Sequence, residues 1–479
     1  MNYETVIGLE VHVELATESK LFCACSAKFT RDANRHVCPA CAGMPGMPAV
    51  LNKKAVELAI AAGLVTNCEI ARLMTFDKKN YFYPDLPAGY QITQYYAPVC
   101  TNGRVTINTG AGTKVIRVKQ IHIEEDAGKL MHDNRIGASL VDFNRTSVPL
   151  VEIVSRADFN NAEEVVAYLE KLRSLLSFAG VSDCRMQEGS MRCDVNISVR
   201  EKGSDTLGVR AEIKNMNSLK AITAAIAYET KRHTDALEHG TETLVQQTRR
   251  WDDEAGETYA MREKENAQDY LYYPNPEVMP VYIDDAWIEA VRNSLPEPAD
   301  LKYARLTGET GLSEYNAKII TNVKNLSGIF DETLKYYDKP RDAANWIITE
   351  LLAAVRNAGN SADDIKIDAQ KFAKIIEMVE TRVIGRAAGR QILEETLTNG
   401  ADPEKYAIEH NLLIAGDGDA VLGAVKAVID EQRKSAEDYR NGNQKAFGFL
   451  VGQVMKRLGG KADPRDVNQI LAEELRKID

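Results

Sequence analysis

Polar side chains that could bind a metal ion or a phosphate alternate with apolar ones near the N-terminus. In the stretch IGLEVHVEL, residues 7–15, every second residue is apolar, and Glu10, His12 and Glu14 occupy three of the positions between. This alternation predicts a half-buried β-strand with a carboxylate, an imidazole and a second carboxylate on its polar face. Mg²⁺ commonly binds one or two carboxylates together with the phosphates of a substrate. The stretch is therefore a candidate strand of a metal site.

Three later segments repeat the pattern. In QIHIEEDAGK, His122 and Glu124 share one face, and Glu125 lies in the opposite phase. The polar positions of RCDVNISVR and VRAEIKNMNS include Arg192, Asp194, Asn196, Glu212 and Lys214. A solvated sheet face is the common explanation for such alternation. The mixture also fits a concave sheet that binds a metal and a nucleotide, because Arg and Lys can hold phosphates. Alternation alone leaves both interpretations open.

Four of the eight cysteines lie within residues 23–41, as a CAC pair and a CPAC pair separated by twelve residues. Two close pairs with a loop between them are typical of a four-sulfur zinc site, which predicts Cys23, Cys25, Cys38 and Cys41 as ligands. With all four positions taken, such a zinc would be structural rather than catalytic. The alternative is a loop of reduced thiols.

The segment FDKKNYFYPDLPAGYQITQYY, residues 76–96, combines lysines, aromatic residues and prolines. Cationic and aromatic side chains on rigid turns suit a nucleotide or an RNA end, and a packed aromatic loop is the alternative. The phosphate-binding patterns G-x-x-x-x-G-K-[ST] and G-x-G-x-x-G are missing from the sequence. A nucleotide site in this chain would thus be of an unusual type.

The elements that must position these residues come in irregular order over residues 1 to about 293. This order favours an α+β fold with a mixed or antiparallel sheet over a regular βαβ wind. Asn161 is a predicted helix N-cap, and Asn102-Gly103 predicts a hairpin turn. The proline-rich SLPEPADLK, residues 294–302, is typical of a linker, and helical patterns follow it. The predicted domains are an α+β domain, residues 1–293, an all-α domain, residues 294–403, and a small all-α tail, residues 404–479.

The totals agree with this division. A length of 479 residues suggests about three domains. The formal net charge of −11 argues against a general nucleic-acid coat, although local basic patches remain compatible with it. The sequence holds no run of about 18 apolar residues, so no membrane span is expected. The N-terminus shows no charged leader and no cleavage site, which predicts a cytoplasmic protein.

Five motifs resemble the B subunit of the glutamyl-/aspartyl-tRNA amidotransferases, the GatCAB complexes. They are ETVIGLEVHVEL, DKKNYFYPDLPAGYQITQ, HIEEDAGK, VDFNR followed by VPLVEIVS, and QEGSMRCDVNISVR. The resemblance covers residues 1 to about 290 and continues more weakly through YIDDAW, residues 282–287, and the helical remainder. It implies a cradle domain with the catalytic site, followed by a helical domain and a helical tail that reach for tRNA.

The resemblance also implies a reaction and its partners. Proteins of this family use ATP and Mg²⁺ to phosphorylate the side-chain carboxylate of Glu mis-attached to tRNA(Gln), or of Asp mis-attached to tRNA(Asn). Ammonia from a glutaminase partner, the A subunit, then displaces the phosphate and leaves the amide. The small C subunit would complete a heterotrimer. The chain would thus belong to a ligase of protein biosynthesis.

Individual roles follow from the family's motifs. The implied catalytic residues are Glu10, His12, Glu125, Glu152 and Asp194. Of these, Glu10, His12 and Glu125 would bind Mg²⁺; the family pattern favours Glu125, whereas face-sharing favours Glu124. The implied residues of the ATP or aminoacyl site are Lys79, Asn80 and Tyr81. The four clustered cysteines fit a zinc-bearing branch of the family, in which zinc is structural.

Basic residues crowd one part of the predicted tail, although the tail as a whole is not basic. The residues predicted to contact tRNA are Arg440, Lys445, Lys456, Arg457 and Lys461. A solvated helix face is the alternative explanation for this patch.

Other functions compete with that of an amidotransferase component. A stand-alone ATP-dependent amide ligase acting on a small carboxylate would turn over ATP without RNA. A non-catalytic tRNA-binding scaffold would tolerate the loss of Glu10 or His12. A metal-dependent hydrolase could use the same carboxylates.

Overall fold

The computed structural model describes residues 3–133, 135–263, 270–362, 365–414, 418–440, 443–459, 462 and 464–477. The chain divides into two compact units, Met1–Pro298 and Ala299–Asp479. The division falls inside SLPEPADLK, the segment that the sequence predicts as a linker.

The first unit is an α+β domain, as the sequence predicts. Its strands are β1 (Tyr3–Glu14), β2 (Glu69–Ile70), β3 (Leu73–Met74), β4 (Asp77–Asn80), β5 (Tyr90–Thr93), β6 (Cys100–Thr109), β7 (Gly112–Glu125), β8 (Lys129–Asp133), β9 (Ala138–Asp142), β10 (Pro149–Ser155), β11 (Met191–Glu201), β12 (Ala211–Lys214), β13 (Gln247–Asp252), β14 (Glu257–Glu263), β15 (Leu271–Pro274) and β16 (Val281–Tyr282). Its helices are α1 (Lys53–Val65), α2 (Ala162–Phe178), α3 (Leu219–His239) and α4 (Asp285–Ser294).

One large mixed sheet organises this unit. Within the described residues it has nine strands, in the order β14-β13-β12-β11-β1-β10-β7-β6-β2. Its β12–β13 pair is parallel, whereas β1 pairs with β10 and β11 in antiparallel fashion. The register places His12 opposite Glu152 of β10 on one side and opposite Arg192 of β11 on the other. Glu152 in turn lies opposite His122 of β7. The polar positions of four strands therefore form one row across the sheet.

The apolar face of the sheet packs on helices. Contacts join α1 to β7, α2 to β6 and α3 to β11. At the start of α2, Asn161 accepts a hydrogen bond from the backbone N–H of Glu164, which confirms the predicted cap. Leu169 and Leu172 of α2 are buried in this core, and each such side chain contributes about 1.5–3 kcal/mol. This packing holds the strands in place through their apolar face. The polar side chains lie on the opposite face of the sheet.

The predicted hairpin turn at Asn102-Gly103 is wrong. Both residues lie inside β6, and the connection to β7 comes after Thr109. Asn102 has a φ of 56°, a left-handed conformation that Asn adopts more readily than most residues. A side chain at Gly103 would meet Cys68 Sγ at 2.3 Å and Thr66 O at 2.9 Å. Asn102 and Gly103 therefore allow β6 to pack closely against the turn after α1. Local turn preferences do not reveal this tertiary contact.

The second unit is helical. Its helices are α5 (Ala299–Gly308), α6 (Glu314–Asn322), α7 (Lys324–Leu334), α8 (Pro340–Trp346), α9 (Leu352–Asn357), α10 (Ala369–Glu380), α11 (Arg386–Asn399), α12 (Pro403–Glu409), α13 (Gly418–Glu431), α14 (Arg433–Arg440), α15 (Gln444–Arg457) and α16 (Pro464–Leu475). A π-helical turn, Ile347–Leu351, joins α8 to α9. None of the described helices of the chain is both long enough and apolar enough to cross a membrane.

Two separate apolar cores hold these helices. The first surrounds Trp346 and Phe372, and it includes Ala407 of α12. The second surrounds Val425, Leu450 and other residues of α13 to α16. Ala407 of α12 thus belongs to the first core, and the helices from α13 onward pack around the second.

Candidate active site and metal sites

The polar face of the sheet lines a cavity of about 720 Å³. Its floor consists of side chains from five strands: Glu10, His12, His122, Glu124, Glu152, Glu212, Lys214 and Thr248. Residues of β4, β5 and β15 and of the loop after β4 form its rim. Binding cavities for small molecules commonly have about 300–1,000 Å³, so this one has room for a nucleotide or a comparable ligand.

Two imidazoles and two carboxylates meet on the floor. His12 Nε2 lies 3.1 Å from an oxygen of Glu152 and 3.6 Å from one of Glu124. His122 Nε2 lies 3.4 Å and 3.6 Å from oxygens of the same two carboxylates. Thr93 of β5 donates a hydrogen bond to Glu124 at 3.2 Å. We call His12, His122, Glu124 and Glu152 the imidazole–carboxylate group.

The charges of this group stabilise one another. Burial alone would raise the pKa of Glu152, but His122 and His12 outweigh it and hold this pKa well below its ordinary value. Burial would lower the pKa of His122, but Glu152 and Glu124 raise it to about 10. The same balance raises the pKa of His12.

Three further carboxylates converge beside Lys214. Lys214 Nζ pairs with Asp194 and lies 2.8 Å from Glu212 Oε1. Thr248 donates to the other oxygen of Glu212 at 3.0 Å, and Asn196 Nδ2 donates to Glu10 Oε1 at 2.9 Å. We call Glu10, Asp194 and Glu212 the acidic group.

The charges of the acidic group and of Lys214 also influence one another. Burial raises the pKa of Glu10, and the nearby carboxylates of Glu152 and Glu212 raise it further. Burial would lower the pKa of Lys214, but Asp194 and Glu212 outweigh it and raise the pKa, so the ammonium stays charged.

Both groups have the donor arrangement of a cation site. Ligand atoms of His12, Glu124 and Glu152 all lie within 4.8 Å of one another, and so do those of Glu10, Asp194 and Glu212. The acidic group offers only oxygen donors, the ligand type that Mg²⁺ prefers. The residues present therefore fit a divalent ion such as Mg²⁺.

The structure separates Glu125 from the other predicted ligands. Its Oε1 accepts a hydrogen bond from the backbone N–H of Ile92 at 2.9 Å, and it lines a different cavity, of about 180 Å³, beside Cys41. Burial raises its pKa to about 7. Because β7 keeps a regular register here, consecutive residues face opposite sides of the sheet. The structure therefore does not bring the predicted trio of Glu10, His12 and Glu125 together: His12 groups with Glu124 and Glu152, and Glu10 groups with Asp194 and Glu212.

Aromatic and cationic residues form the rim. Lys79 Nζ lies 4.6 Å from the ring centre of Tyr270 and 5.7 Å from that of Tyr81. Burial would lower the pKa of Lys79, but Glu124 and other neighbours outweigh it and keep the ammonium charged. Phe82, next in the chain, is 94% exposed at the cavity mouth. Lys79 and Tyr81 thus line the cavity, and their contact with ATP or the aminoacyl end stays a prediction.

Asn80, the third residue predicted for this site, has a different environment. Its Nδ2 donates to the backbone carbonyl of Leu271 at 2.9 Å and to that of Lys78 at 3.1 Å. The bond to Leu271 fastens β4 to β15, which is consistent with a structural role.

Sequence reasoning missed several residues of the cavity as site residues. They are His122, Glu124, Glu212, Lys214, Tyr270 and Tyr272. For the first four, the signal was present in the strand alternation, which put them on polar faces. Tyr270 and Tyr272 come from a distant segment that pairs with β4, and no local pattern indicates that pairing.

The four clustered cysteines come together as predicted. Their sulfur atoms all lie within 4.8 Å of one another, and Cys38 Sγ lies 3.9 Å from Cys41 Sγ. Zn–S bonds of about 2.3 Å in a tetrahedron place sulfurs about 3.8 Å apart. These thiols therefore fit a structural zinc ion.

The predicted tRNA-contacting residues are only partly described. Lys445 and Lys456 are exposed on α15. Arg457 is exposed and pairs with Glu431 of α13 at 2.6 Å. Lys461 and the side chain of Arg440 lie outside the described residues.

Comparison with known proteins places these features in one family. Residues 5–289 match the family described as the GatB/GatE catalytic domain, and residues 328–475 match one described as the GatB domain. The chain is 50% identical to the B subunit of the aspartyl/glutamyl-tRNA(Asn/Gln) amidotransferase of Caldicellulosiruptor saccharolyticus and to that of Caldicellulosiruptor bescii, over the whole of each chain. It is 49% identical to the protein of that name from Thermoanaerobacter pseudethanolicus, again over both full lengths.

Proposed function

This chain belongs to the GatB/GatE family, and we propose that its cavity is where ATP phosphorylates the side-chain carboxylate of Glu or Asp carried by tRNA. The chain is accordingly one component of a tRNA-dependent amidotransferase, a carbon–nitrogen ligase of translation. The observation that supports the site assignment is the convergence of the imidazole–carboxylate group, Glu10, Glu212, Lys79 and Lys214 on one cavity, with Asp194 paired to Lys214.

The chemistry explains why such a cavity needs charges rather than a nucleophile. A carboxylate accepts ammonia poorly, because an oxide ion would have to leave. In the first step, a carboxylate oxygen of the substrate attacks the γ-phosphorus of ATP, and the bond to ADP breaks. In the second step, ammonia attacks the carbonyl carbon and phosphate leaves. Phosphoryl transfer depends mostly on positioning and charge neutralisation.

The residues of the cavity suit that task. The ammonium groups of Lys79 and Lys214 can hold phosphate oxygens. The acidic group and the imidazole–carboxylate group would hold Mg²⁺, which supplies charge screening for the phosphates when bound. The rim of Tyr81, Phe82 and Tyr270 offers ring faces for a base. Glutamine hydrolysis is assigned to a separate glutaminase partner, and a third, small protein completes a cytoplasmic heterotrimer.

A direct test measures amide formation. The purified complex is incubated with mischarged Glu-tRNA(Gln), ATP, Mg²⁺ and ammonium, and Gln-tRNA is quantified. Ammonium replaces the glutaminase reaction, so the assay reports on the chain described here. We expect Glu10→Gln to reduce the rate at least about 100-fold, the scale of lost electrostatic stabilisation in enzymes. Glu170→Gln, on the exposed face of α2, is the matched control and should retain the wild-type rate.

Three outcomes would contradict the proposal. Full activity of Glu10→Gln would favour a scaffold without catalysis. Conversion of ATP to ADP with amidation of a small carboxylate in the absence of tRNA would favour a stand-alone amide ligase. Hydrolysis of the ester bond of Glu-tRNA without amide formation would favour a metal-dependent hydrolase.

A further inference from the structure

A buried lysine lies against the four-cysteine cluster. Lys20 has 0% of its surface exposed, although lysine is among the residues most rarely buried. Its Nζ lies 3.5 Å from Cys41 Sγ and 3.2 Å from the carbonyl oxygen of Phe143. The ammonium therefore points into the protein, toward a sulfur, rather than along the surface.

An ammonium in this position needs a negative partner. Removing a charge from water costs several kcal/mol, about the amount that a well-placed counter-ion must return. The two groups that Lys20 Nζ contacts within the described residues are the Cys41 thiol and the Phe143 carbonyl, and neither is a carboxylate. The carbonyl of Phe143 carries only a partial charge, which leaves the thiolate cluster as the source of compensation.

The charge of a loaded cluster matches this requirement. A zinc ion bound by four thiolates carries a net charge of −2. One ammonium in contact with Cys41 reduces the local charge to −1 and lowers the repulsion among the thiolates. We infer that Lys20 is the built-in counter-cation of this cluster and that it sets the affinity of the chain for zinc.

A second lysine in the same region provides a comparison. Lys28 lies between the two cysteine pairs, is exposed, and pairs with Glu18 at 2.7 Å. Lys28 is thus close to the cluster in sequence, but its positive charge is balanced by Glu18 rather than by a thiolate. Replacing Lys28 removes a charge from the same loop without removing a contact to a sulfur.

Lys20 also fastens the cysteine loop to the segment that precedes β10. Lys20 Nζ donates to Phe143 O. The next residue, Leu21, donates its backbone N–H to Ser147 O at 2.8 Å. From the cysteine loop, His36 donates its backbone N–H to Asn144 Oδ1 at 2.8 Å. The same lysine therefore couples the charge of the cluster to the position of this segment.

The test compares zinc affinity in three variants of the full-length chain, purified with its partners. Lys20→Met removes both the charge and the donor, whereas Lys20→Gln keeps a donor for Phe143 O without the charge. Lys28→Met is the control. The zinc dissociation constant is measured by competition with a chromophoric chelator. Loss of a group that contacts a metal ligand typically weakens metal binding by about 10–100-fold, and we expect both Lys20 variants to fall in this range.

A second readout separates charge from folding. Co²⁺ is substituted for zinc, and its absorption bands report tetrahedral sulfur coordination. We expect tetrahedral bands in all variants with a faster release of Co²⁺ to chelator in both Lys20 variants, and a wild-type release rate in Lys28→Met. Circular dichroism verifies that each variant is folded.

Several results would overturn the inference. They are wild-type zinc affinity in either Lys20 variant, an equal loss in Lys28→Met, and failure of the wild-type chain to bind one zinc ion. If Lys20→Met does not fold, the measurement on Lys20→Gln decides. The inference is independent of the proposed reaction, since amide formation is not measured.

Discussion

His12 Nε2 lies 3.1 Å from Glu152 Oε2, and the two residues face each other across adjacent antiparallel strands. The next strand places His122 opposite the same carboxylate, with its Nε2 at 3.4 Å. The Glu152 carboxylate thus contacts two imidazoles, because the register of β1, β10 and β7 places the three residues side by side. A pairing error of one residue in any of them would turn a member of the group toward the apolar core.

This shared position makes Glu152 a sensitive site. In Glu152→Gln the side chain keeps its size but loses the charge that both imidazoles face. We expect amide formation from Glu-tRNA and ammonium to fall at least about 100-fold, because an organising carboxylate is lost from an electrostatic site. The rate is measured beside that of Glu170→Gln. Retention of more than about a tenth of the wild-type rate would mean that the imidazole–carboxylate group is not needed for the reaction.

The exposed ring of Phe82 should matter for tRNA rather than for ATP. Phe82 is 94% exposed at the mouth of the cavity, and stacking of one base on an aromatic ring contributes about 1–3 kcal/mol. We expect Phe82→Ala to raise the KM for Glu-tRNA about tenfold, at the lower part of that range. The KM for ATP should not change. Steady-state kinetics with each substrate varied in turn gives both values.

Phe29 provides the control for this experiment. It is 89% exposed in the cysteine loop and does not line the cavity. Phe29→Ala should leave both KM values at the wild-type level. Phe82→Tyr keeps an aromatic ring and should also have the wild-type KM for tRNA. A raised KM for ATP in Phe82→Ala would assign the ring to the nucleotide instead.

The alternation of polar and apolar residues along the strands indicates part of this site but not all of it. Alternation placed His12 and Glu124 on polar faces, and β1 and β7 do present them to one cavity. It could not show that β10 lies between these strands, so the position of Glu152 between two imidazoles had to come from the structure. The choice between Glu124 and Glu125 depended on whether β7 bulges, which is a property of its pairing rather than of its sequence. At Asn102-Gly103, a tertiary contact with the turn after α1 outweighed a strong local preference.

A buried charge cluster on α3 makes the stability of the first unit depend on pH. Glu229 has 0% of its surface exposed and pairs with Arg232 at 2.8 Å and with Arg249 of β13 at 2.9 Å. Burial would raise the pKa of Glu229, but hydrogen bonds from His233, Arg232 and Thr258 outweigh it and lower the pKa to about 2. The unfolded chain has the ordinary value of about 4.3.

The sign of the effect follows from these two pKa values. Because the folded pKa is depressed, the stabilisation by Glu229 is present above the unfolded pKa and is lost as the pH falls from about 4.3 to about 2. Glu229→Gln should lower the free energy of unfolding by about 3–5 kcal/mol at pH 7, since it leaves buried arginines uncompensated. The difference between variant and wild type should shrink below pH 4.3, about the unfolded pKa.

Hydrogen exchange of peptides from α3 and β13, followed by mass spectrometry, measures this local stability. Glu238→Gln, exposed near the end of the same helix, is the control and should follow the wild-type curve. A constant difference between Glu229→Gln and wild type from pH 7 to pH 3 would show that the charge of Glu229 contributes nothing to it.

The exposed lysines of α15 should bind tRNA through its phosphates. Lys445 and Lys456 are exposed, whereas Arg457 already pairs with Glu431. Each lysine that neutralises a phosphate contributes about 0.7–0.9 to the slope of log affinity against log salt. We expect the double variant Lys445→Ala/Lys456→Ala to bind tRNA more weakly and to reduce that slope by about 1.5. Lys405→Ala, an exposed lysine on α12, is the control. Filter binding from low to moderate salt gives the slopes, and equal slopes for double variant and wild type would mean that α15 is only a solvated helix face.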